Sequence, residues 1–507
     1  MTQAAERSPR RGIGAAGLWG VAAALLGVLA GQLVSLLTNP SSSPFDAVGQ
    51  TVIDATPAPV KEWAVAVFGT ADKVFLLTVI AFGVAVLGWL AGVWERRQAW
   101  AGAALLGVLG LGSGIIAMLR PTASATSLIP GIFAAVVAVG LLRWRPAGDL
   151  EAEATGVNRR SLILGGAGVA AGGLGLVVTE AALRPGAVGG AKIPVELPVP
   201  QSPAPSLPPG LEARVDAITP LRTPIPEFYR IDIALTPPKV DPELWSLVID
   251  GMVRRPYTIS FAELMAMPMV ERDITLTCVS NPVGGGYCGS TRWLGVMVAD
   301  IIERAAPEAG AEQMLSMGAD GFTASTPLEV IRDGRDAMIA VAMDGQPLTA
   351  EHGYPARLLT PGLFGYVGAT KWLQQLYIST FAKTPAYWTQ RGWSERGPVK
   401  TASRIDVPSS AIKAGEQVIA GVAWATHRGV SRVEVRVDQG QWQKATLGED
   451  VGLDYWRQWY LPWHAEPGQY EVTVRAWDGA GKVQDATVRD VVPDGATGYH
   501  SRVITVT

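Results

Sequence analysis

The residues best suited to chemistry lie in one stretch, Ile274–Val296, which reads ITLTCVSNPVGGGYCGSTRWLGV. It opens as an alternating β-branched run, which predicts a β-strand with Cys278 at its tip. A turn signal and a run of glycines follow, and glycine lets a backbone approach a neighbour without a Cβ clash. A thiolate beside such a loop, with Arg292 close in sequence, suits a nucleophile, a soft-metal ligand or half of a disulfide.

Cys288 is the other cysteine of the chain, ten positions after Cys278. In an exported protein, two cysteines at this spacing could form a disulfide that closes the loop. The spacing alone does not decide between a disulfide and two free thiols. A chain with only these two cysteines cannot be a disulfide scaffold, a four-cysteine zinc site or a cysteine-ligated iron–sulfur protein.

The stretch resembles the sulfite oxidase-type molybdenum oxidoreductases, in which a strand-end cysteine precedes an Asn/Gly-rich loop and an RW-G element. A second block, His352–Trp372, reads HGYPARLLTPGLFGYVGATKW and resembles the pterin-binding HG-P-R…PG…KW segment of that family. The resemblance implies that Cys278 binds molybdenum and is catalytic. It also implies a molybdenum–molybdopterin cofactor.

Further site residues follow from the same resemblance. Arg292 and Arg230 are expected to attract a substrate oxygen, although an ordinary ion pair is an equally good reading of Arg230, since the histidine of the family segment is absent here. His352 outside its motif would be an ordinary loop histidine. The implied cofactor-binding residues are Tyr229, Arg230, Asp232, Cys278, Asp320, His352, Arg357, Ala369, Thr370 and Lys371.

One strand departs from the family pattern. Sulfite oxidases carry a tyrosine in an A-Y-E-M-N-G segment near the metal, and Val341 occupies the matching position in Ala340–Gly345. A valine can neither donate a hydrogen bond nor relay a proton. Sulfite oxidation itself is therefore in question, whereas the cofactor site is not.

The N-terminal part differs in composition from the rest. The mean hydropathy of the chain is +0.22 and charged residues make up 17%, and the first 183 residues contain apolar runs about as long as the ~20 residues that span a bilayer. The predicted spans are Ile13–Leu37, Val74–Trp94, Ala99–Leu119, Ala123–Leu142 and Ser161–Val178. None contains a histidine, so the spans cannot hold a bis-histidine haem. The predicted membrane part is therefore an anchor or a docking surface.

Lysine and arginine placement predicts the orientation. With the N-terminus inside, nine arginines face the cytoplasm and only Lys61, Lys73 and Arg120 face the other side. Five spans then place the catalytic part outside the cytoplasm. The sequence Asn158–Leu162, NRRSL, resembles a twin-arginine export signal, which suits a cofactor that must be inserted before export.

The sequence thus predicts a multi-domain protein. The parts are a membrane domain of transmembrane helices (1–185), a Pro-rich linker (186–226), an α+β molybdopterin-binding domain (227–398) and an all-β immunoglobulin-like sandwich of dimerisation type (399–507). Within the third part, a capping box at Ser260 predicts a short helix, and Trp293–Arg304 predicts an amphipathic helix.

The expected function is oxygen-atom transfer to or from a small sulfur–oxygen substrate such as sulfite or a sulfoxide. The expected partners are that oxyanion or sulfoxide, an external electron carrier (a cytochrome or a quinone-linked protein), the membrane and a second copy of the chain. A net charge of −3 gives no support for nucleic-acid binding. The alternative is a non-enzymatic membrane-tethered adhesion or assembly module with a disulfide-closed loop.

Overall fold

The computed structural model describes residues 13–38, 42–57, 60, 72–120, 123–144, 166–173, 196–409 and 411–507. The chain forms two compact units. The first joins Met1–Lys192 to the short segment Asp232–Lys239, and the second comprises Ile193–Ile231 and Val240–Thr507. The segment Asp232–Lys239 was expected at the start of the cofactor domain, but it packs with the N-terminal helices.

Apolar helices make up the N-terminal unit. They are α1 (Ile13–Leu37), α2 (Pro44–Ala55), α3 (Asp72–Arg97), α4 (Ala101–Met118) and α5 (Ile129–Arg143), and residues 166–173 are also helical. By length and composition α1, α3 and α4 could each cross a membrane, whereas α5 is apolar but has only 15 residues. Fifteen residues extend about 22 Å, less than the ~30 Å hydrocarbon layer. Of the fifth predicted span, only 166–173 lie among the described residues.

Glycines allow these helices to pack backbone against backbone. A Cβ on Gly20 of α1 would lie 2.1 Å from the carbonyl oxygen of Gly88 in α3. A Cβ on Gly110 of α4 would lie 2.6 Å from the amide nitrogen of Ala135 in α5. Close approach through small residues is the usual packing of helices in lipid, where no hydrophobic force favours association.

One buried carboxylate joins three helices. Glu95 of α3 accepts hydrogen bonds from the amide of Ala103 near the start of α4 (2.9 Å) and from the guanidinium of Arg143 at the end of α5 (2.6 Å). The amide is one of the groups that a helix N-terminus leaves without an intrahelical partner. Glu95 therefore stabilises both a helix end and the packing of α3, α4 and α5.

The segment Asp232–Lys239 is held by α2 within the same unit. The amide of Leu235 donates to the side-chain oxygen of Gln50 at 3.3 Å, and the hydroxyl of Thr236 donates to the carboxylate of Asp46 at 3.1 Å. A Cβ on Gly49 would lie 2.6 Å from the side chain of Leu235. Two hydrogen bonds and a glycine contact thus fix this segment against one helix face.

Two sheets begin the second unit. One has the order β2-β1-β11-β5-β6, with β1 and β11 parallel, and the other has the order β10-β9-β7-β4-β3, with β8 paired to β7. The strands are β1 (Ser246–Gly251), β2 (Tyr257–Ser260), β3 (Val270–Thr277), β4 (Cys288–Met297), β5 (Gln313–Gly318), β6 (Thr323–Pro327), β7 (Met338–Met343), β8 (Gln346–Pro347), β9 (Arg357–Leu359), β10 (Ala369–Thr370) and β11 (Leu373–Ser379). A core of aliphatic residues from both sheets includes Leu247, Ile249, Val296, Ile339 and Leu376.

Short helices connect these strands. They are α6 (Phe261–Met265), α7 (Val298–Ala305), α8 (Leu328–Ile331) and α9 (Gly365–Gly368). The capping box predicted at Ser260 is confirmed, since its hydroxyl and the Glu263 carboxylate each bond the other's backbone amide. The helix predicted over Trp293–Arg304 is wrong in its first half, because these residues continue β4 as far as Met297 with both faces largely buried.

The C-terminal region forms two antiparallel sheets, β12-β13-β17-β16 and β15-β14-β18-β19. The strands are β12 (Ala402–Val407), β13 (Gly415–Trp424), β14 (Val430–Val437), β15 (Gln443–Lys444), β16 (Thr446–Leu447), β17 (Arg457–Ala465), β18 (Gly468–Asp478) and β19 (His500–Val506). Both sheets bury side chains in one core that includes Ile405, Ile419, Val433, Val472 and Ile504. The all-β prediction is confirmed, and the immunoglobulin-like assignment stays a prediction.

Candidate functional site

The β3–β4 hairpin places Cys278 as the sequence predicted. The strands pair antiparallel up to Thr277 opposite Cys288, and the Cys278 amide extends the ladder by donating to the carbonyl of Tyr287 at 2.9 Å. The last four residues of β3 are all buried, so the strand is anchored in the core where it ends. The Cys278 side chain is itself buried, with 9% of the residue exposed.

Asn281 closes the loop that follows Cys278. Its side-chain oxygen accepts from the Tyr287 amide at 2.8 Å, and its own amide donates to the Cys278 carbonyl at 3.1 Å. A Cβ on Gly285 would lie 2.5 Å from the same Asn281 oxygen, so this glycine makes room for the bond. The Asn/Gly composition of the loop is therefore a structural requirement of its fold.

Both cysteines are free thiols. Cys288 lies 3.3 Å from the hydroxyl of Thr277 and packs in an apolar cluster with Val279, Phe364 and Trp456. Burial raises the pKa of the Cys288 thiol to about 12. The loop is thus closed by hydrogen bonds, and the disulfide alternative has no support in the structure.

Burial also raises the pKa of the Cys278 thiol, against a smaller lowering by hydrogen bonds from Ser280. A buried thiol with a raised pKa is a poor nucleophile at neutral pH. A bound metal ion would reverse this, because it stabilises the thiolate directly. This environment argues against the nucleophilic interpretation of Cys278, and its role as a metal ligand stays a prediction.

His352 stands at the start of the second block and is 6% exposed. Its Nε2 lies 3.2 Å from the Ile225 carbonyl, and its ring meets the edge of Phe228 at 5.8 Å between centroids. Burial and the nearby charges of Arg357 and Lys371 lower the pKa of His352 to about 4. The imidazole is therefore neutral at physiological pH.

Arg357 on β9 is a buried cation. Its Nη1 donates to the His352 carbonyl at 3.2 Å, and the guanidinium lies 5.0 Å from the ring centre of Trp293. Its Nε is buried without a hydrogen-bond partner, and no carboxylate among the described residues forms an ion pair with it. Burial lowers the pKa of Arg357 to about 10. A buried guanidinium with an unused donor indicates a place for an anion.

Lys371 lies beside this cation. Its Nζ donates to the Glu351 carbonyl at 3.1 Å, directly before His352 in the chain. Gly353 has φ of +102°, and a Cβ there would lie 3.0 Å from the Cα of Lys371. The glycine thus permits the close approach that brings Arg357 and Lys371 to one side of the fold.

Ala369 and Thr370 form β10, which pairs antiparallel with β9. The Thr370 hydroxyl lies 2.7 Å from that of Ser316 on β5. Asp320, in the turn after β5, accepts from the Phe322 amide at 3.1 Å, and the preceding amide of Ala319 donates to the carbonyl of Trp372 at 2.8 Å. These predicted residues therefore lie along the backbone next to Lys371.

Tyr229 connects the two blocks. It stacks on Phe228 at 5.5 Å and lies 6.5 Å from Tyr287 in the cysteine loop, between ring centroids. Burial raises the pKa of the Tyr229 phenol well above its usual value, and the charges of Cys278 and Arg357 act on it in opposite directions. Tyr229 is thus within electrostatic reach of both the thiol and the buried cation.

Arg230 is exposed on the surface of its unit, and its charge contributes to the low pKa of His352. Aromatic residues that were not among the predicted site residues complete this region. Phe228 packs edge-on against both Trp293 (5.7 Å) and His352 (5.8 Å). The sequence could have indicated both aromatic residues, because Phe228 and Trp293 are the direct neighbours of the predicted site residues Tyr229 and Arg292.

Arg292 is not brought to Cys278. It forms a two-point ion pair with Asp273, which lies opposite it in the β3–β4 register, at 2.7 and 3.0 Å. Asp273 precedes Cys278 by five positions, which is about 16 Å along a strand. The expectation that Arg292 attracts a substrate oxygen is therefore not supported. Asp232 belongs to the N-terminal unit, so its role at the cofactor stays a prediction.

Val341 takes the place expected for a tyrosine, and it is apolar in surroundings as well as in type. Its side chain is 2% exposed and packs in the core with Val296 and Ile339. No phenol reaches the site from this position of β7.

The assembled residues could hold a metal-bearing anion. In the described residues no three histidine, cysteine or acidic side chains are grouped to bind a metal ion. A metal at Cys278 therefore needs further ligands from the group that carries it. The unused donor of Arg357, together with Lys371, would bind the anionic part of such a group.

Comparisons with known proteins agree with this chemistry. Residues 234–388 match the family model described as oxidoreductase molybdopterin binding domain. The chain is 28% identical to sulfite oxidase of Gallus gallus over 305 residues, which cover 50% of this chain and 66% of that protein. It is 31% identical to the uncharacterized oxidoreductase YuiH of Bacillus subtilis over 153 residues, covering 30% of this chain and 74% of that protein.

A solved structure shows the same fold. The sulfane dehydrogenase SoxCD from Paracoccus pantotrophus has a TM-score of 0.50 and 21% identity, with 63% of this chain and 94% of that chain covered. At this identity the similarity concerns the fold alone. The chain spans less than two thirds of the curated sulfite oxidases it matches, 66% of the Gallus gallus protein and 58% of the Rattus norvegicus protein.

Proposed function

The chain belongs to the sulfite oxidase-type molybdopterin oxidoreductases, and from this premise we propose that it is a membrane-anchored enzyme that transfers an oxygen atom to or from a small sulfur–oxygen compound. The observation that supports this most is the presence of a buried free thiol, Cys278, and a buried guanidinium with an unused donor, Arg357, both within electrostatic reach of Tyr229. A thiolate ligand and an anion site are the two things a metal–pterin phosphate requires of a protein.

The residues fit the cofactor because separate groups of side chains would bind its metal and its pterin phosphate. Cys278 would bind the metal, and Arg357, Lys371 and His352 would hold the pterin and its phosphate, with Thr370 beside them. The molybdenum centre supplies the oxygen-atom and electron transfer chemistry when bound. The protein orients it, excludes water through the aromatic cluster around Phe228 and keeps His352 neutral, so that the ring adds no further positive charge.

The substrate we favour is a sulfoxide or a similar oxide rather than sulfite. Val341 leaves the site without the phenol that sulfite oxidases place on this strand. Tyr229 is a phenol within electrostatic reach of Cys278 and carries a raised pKa, so it keeps its proton at neutral pH and can donate a hydrogen bond to a substrate oxygen. Arg230, which is exposed, would attract the substrate to the same side.

Electrons would be exchanged with an external carrier, a cytochrome or a quinone-linked protein. The apolar helices α1, α3 and α4 support a membrane anchor. We place the catalytic part on the extracytoplasmic side, from the nine-to-three distribution of lysine and arginine. The C-terminal sheets would suit a homodimer contact, as the resemblance implies.

The experiment is a metal and substrate analysis of the purified full-length protein. Molybdenum should be present at about one per chain, and reduction of a methyl sulfoxide should exceed oxidation of sulfite when each is assayed with an artificial electron carrier. Cys278→Ser should abolish both activities. A protein without molybdenum, or a Cys278→Ser variant that stays active, would contradict the proposal, whereas preferred sulfite oxidation would contradict only the substrate assignment.

A further inference from the structure

The loop between Cys278 and Cys288 is held at its two ends by hydrogen bonds within its own hairpin, whereas its middle has few contacts of its own. The Cys278–Tyr287 ladder bond and the Asn281 side chain hold the two ends together. Between them the amide of Gly285 makes one turn bond, to the carbonyl of Pro282 at 2.9 Å. Glycines rotate freely, so such a segment needs outside contacts to adopt one conformation.

His500, the first residue of β19, supplies one of these contacts. A Cβ on Gly284 would lie 2.3 Å from both Cδ2 and Nε2 of the His500 ring, and Gly284 has φ of +76°. Only glycine satisfies both the space and the backbone angle. The ring is fixed in turn, because its Nδ1 accepts a hydrogen bond from the Ile405 amide at 2.9 Å.

Arg404 on β12 supplies the second contact. Its Nη1 donates to the Gly285 carbonyl at 2.9 Å. The guanidinium is held from two other sides, by the carboxylate of Asp406 and by the hydroxyl of Thr219, each at 2.6 Å. Its side chain is only 12% exposed. A donor fixed in this way has one geometry in which to bind the loop.

The strand before Cys278 is held by the same region. The Thr275 amide donates to the Asp454 carbonyl at 2.8 Å, and the Thr275 hydroxyl accepts from the Trp456 amide at 2.8 Å. Cys278 therefore lies between two points of attachment to the C-terminal region, Thr275 on one side and Gly284–Gly285 on the other. One of the two loop contacts comes from each sheet, since β12 and β19 belong to different sheets.

We propose that His500 and Arg404 are positioning residues that fix the loop after Cys278 and thereby set the direction in which its sulfur is presented. This role rests on the proposed function of Cys278 as the metal ligand. It gives the C-terminal sheets a part in the cofactor site in addition to any contact between subunits. Residues that orient a metal ligand commonly alter affinity or activity by about 10–100-fold when they are removed.

The test compares Arg404→Met and His500→Asn with two controls, Arg396→Met and His464→Asn. Asparagine can still accept from the Ile405 amide but removes the ring from Gly284, so the edge of the sheet is kept. The control residues are exposed members of ion pairs with Glu329 and Glu416 on the same unit. Circular dichroism and a thermal transition identify any variant that fails to fold.

Two readouts are used. In cofactor-free protein, the alkylation rate of Cys278 is followed by mass spectrometry with Cys288 as internal reference. It should rise about fivefold in both test variants, because the loss of a loop contact worth about 1 kcal/mol makes local opening of the loop that much more frequent. In loaded protein, the metal content should stay near wild type, while the electron paramagnetic resonance spectrum of the metal shifts and kcat falls more than KM changes. The controls should match wild type in every measurement.

Folded test variants with wild-type alkylation rates and spectra would overturn the positioning role. If one test variant does not fold, the other decides the outcome alone. A failure of the proposed function looks different, because Cys278→Ser would then leave metal binding and its spectrum unchanged. In that case a faster alkylation of Cys278 in Arg404→Met would still report that the loop had been released.

Discussion

Replacing Arg357 by methionine should have opposite effects on the empty and the loaded protein. The guanidinium is buried without a carboxylate partner, and its pKa is lowered from 12.5 to about 10 by burial. At about 1.4 kcal/mol per pKa unit, the folded protein carries a penalty of about 3 kcal/mol for the charge. Methionine has similar volume, and it removes this penalty.

The losses on substitution are smaller. The Nη1 bond to the His352 carbonyl comes from a charged group and is worth about 1.5 kcal/mol, and the contact with the ring of Trp293 is worth about 1 kcal/mol. The cofactor-free Arg357→Met protein should therefore be about 0.5–1 kcal/mol more stable than wild type. The loaded protein loses charge-assisted hydrogen bonds of about 1.5–3 kcal/mol, which is roughly a 10–150-fold weaker hold on the cofactor.

The assay measures both quantities on the full chain in detergent. Urea denaturation followed by tryptophan fluorescence gives the stability of the cofactor-free form, and molybdenum retained after dialysis gives the affinity. Arg335→Met is the matched control, because Arg335 is also little exposed but is paired with Asp333 at 2.5 Å. It should lower stability and leave retention unchanged. An Arg357→Met protein that is less stable when empty, or retains its cofactor as wild type does, would refute the assignment of an anion site.

Four further outcomes are expected. Cys278→Ser should abolish molybdenum-dependent activity, whereas Cys288→Ser should change it far less, because Cys288 packs in an apolar cluster; equal losses would contradict the assignment of Cys278 as ligand. A reporter fused to the C-terminus should signal an extracytoplasmic location, and a cytoplasmic signal would mean that a span is miscounted, with α5 the first to suspect. Changing Arg159 and Arg160, which lie outside the described residues, to lysine keeps the positive charge but should retain the catalytic part in the cytoplasm; normal export would refute the twin-arginine signal. Folding lowers the pKa of His352 from 6.5 to about 4, so between these pH values the unfolded chain binds a proton that the folded chain does not. The free energy of unfolding of the cofactor-free form should therefore fall by about 3 kcal/mol from pH 6.5 down to pH 4. A His352→Gln protein with the same pH dependence would contradict this.

Local patterns predicted the elements that carry the site. The β-branched run before Cys278 and the turn signal at Asn281 describe a hairpin whose side chains interact over a few residues. The second block likewise spans one short segment, so its motif describes the contacts of His352, Arg357 and Lys371 that the structure contains. Contacts between residues that are close in the sequence can therefore be predicted from local patterns.

The structure gives Arg292 a carboxylate partner, Asp273, and the sequence contained the information that predicts this pair. Counting outward from the pair Thr277–Cys288 places Asp273 directly opposite Arg292. Opposite charges at facing positions of two strands form a pair, so the guanidinium of Arg292 binds Asp273 and not a substrate anion. Proximity to Cys278 in sequence was misleading, because β4 leads away from the loop.

The contacts of Arg404 and His500 could not be predicted. Arg404 and Gly285 are 119 positions apart, and no local pattern relates them. The helix predicted over Trp293–Arg304 failed for a related reason, since its first residues have a strand partner on each side, β3 and β7. Tertiary pairing overrides a local periodicity wherever both faces of a segment are buried.

These contacts show that residues outside the matched catalytic region hold the cysteine loop in place. The family model covers residues 234–388, yet the cysteine loop within that range is held by residues at 404 and 500, and β3 by the backbone at 454 and 456. A fragment cut after the matched region would keep every proposed ligand but lose the contacts of Arg404 and His500 with the loop. Such a fragment would expose the apolar cluster around Cys288 and Trp456 and leave Cys278 on a segment of freely rotating glycines. The C-terminal sheets are therefore part of the cofactor site in the same physical sense as the strand that carries the cysteine.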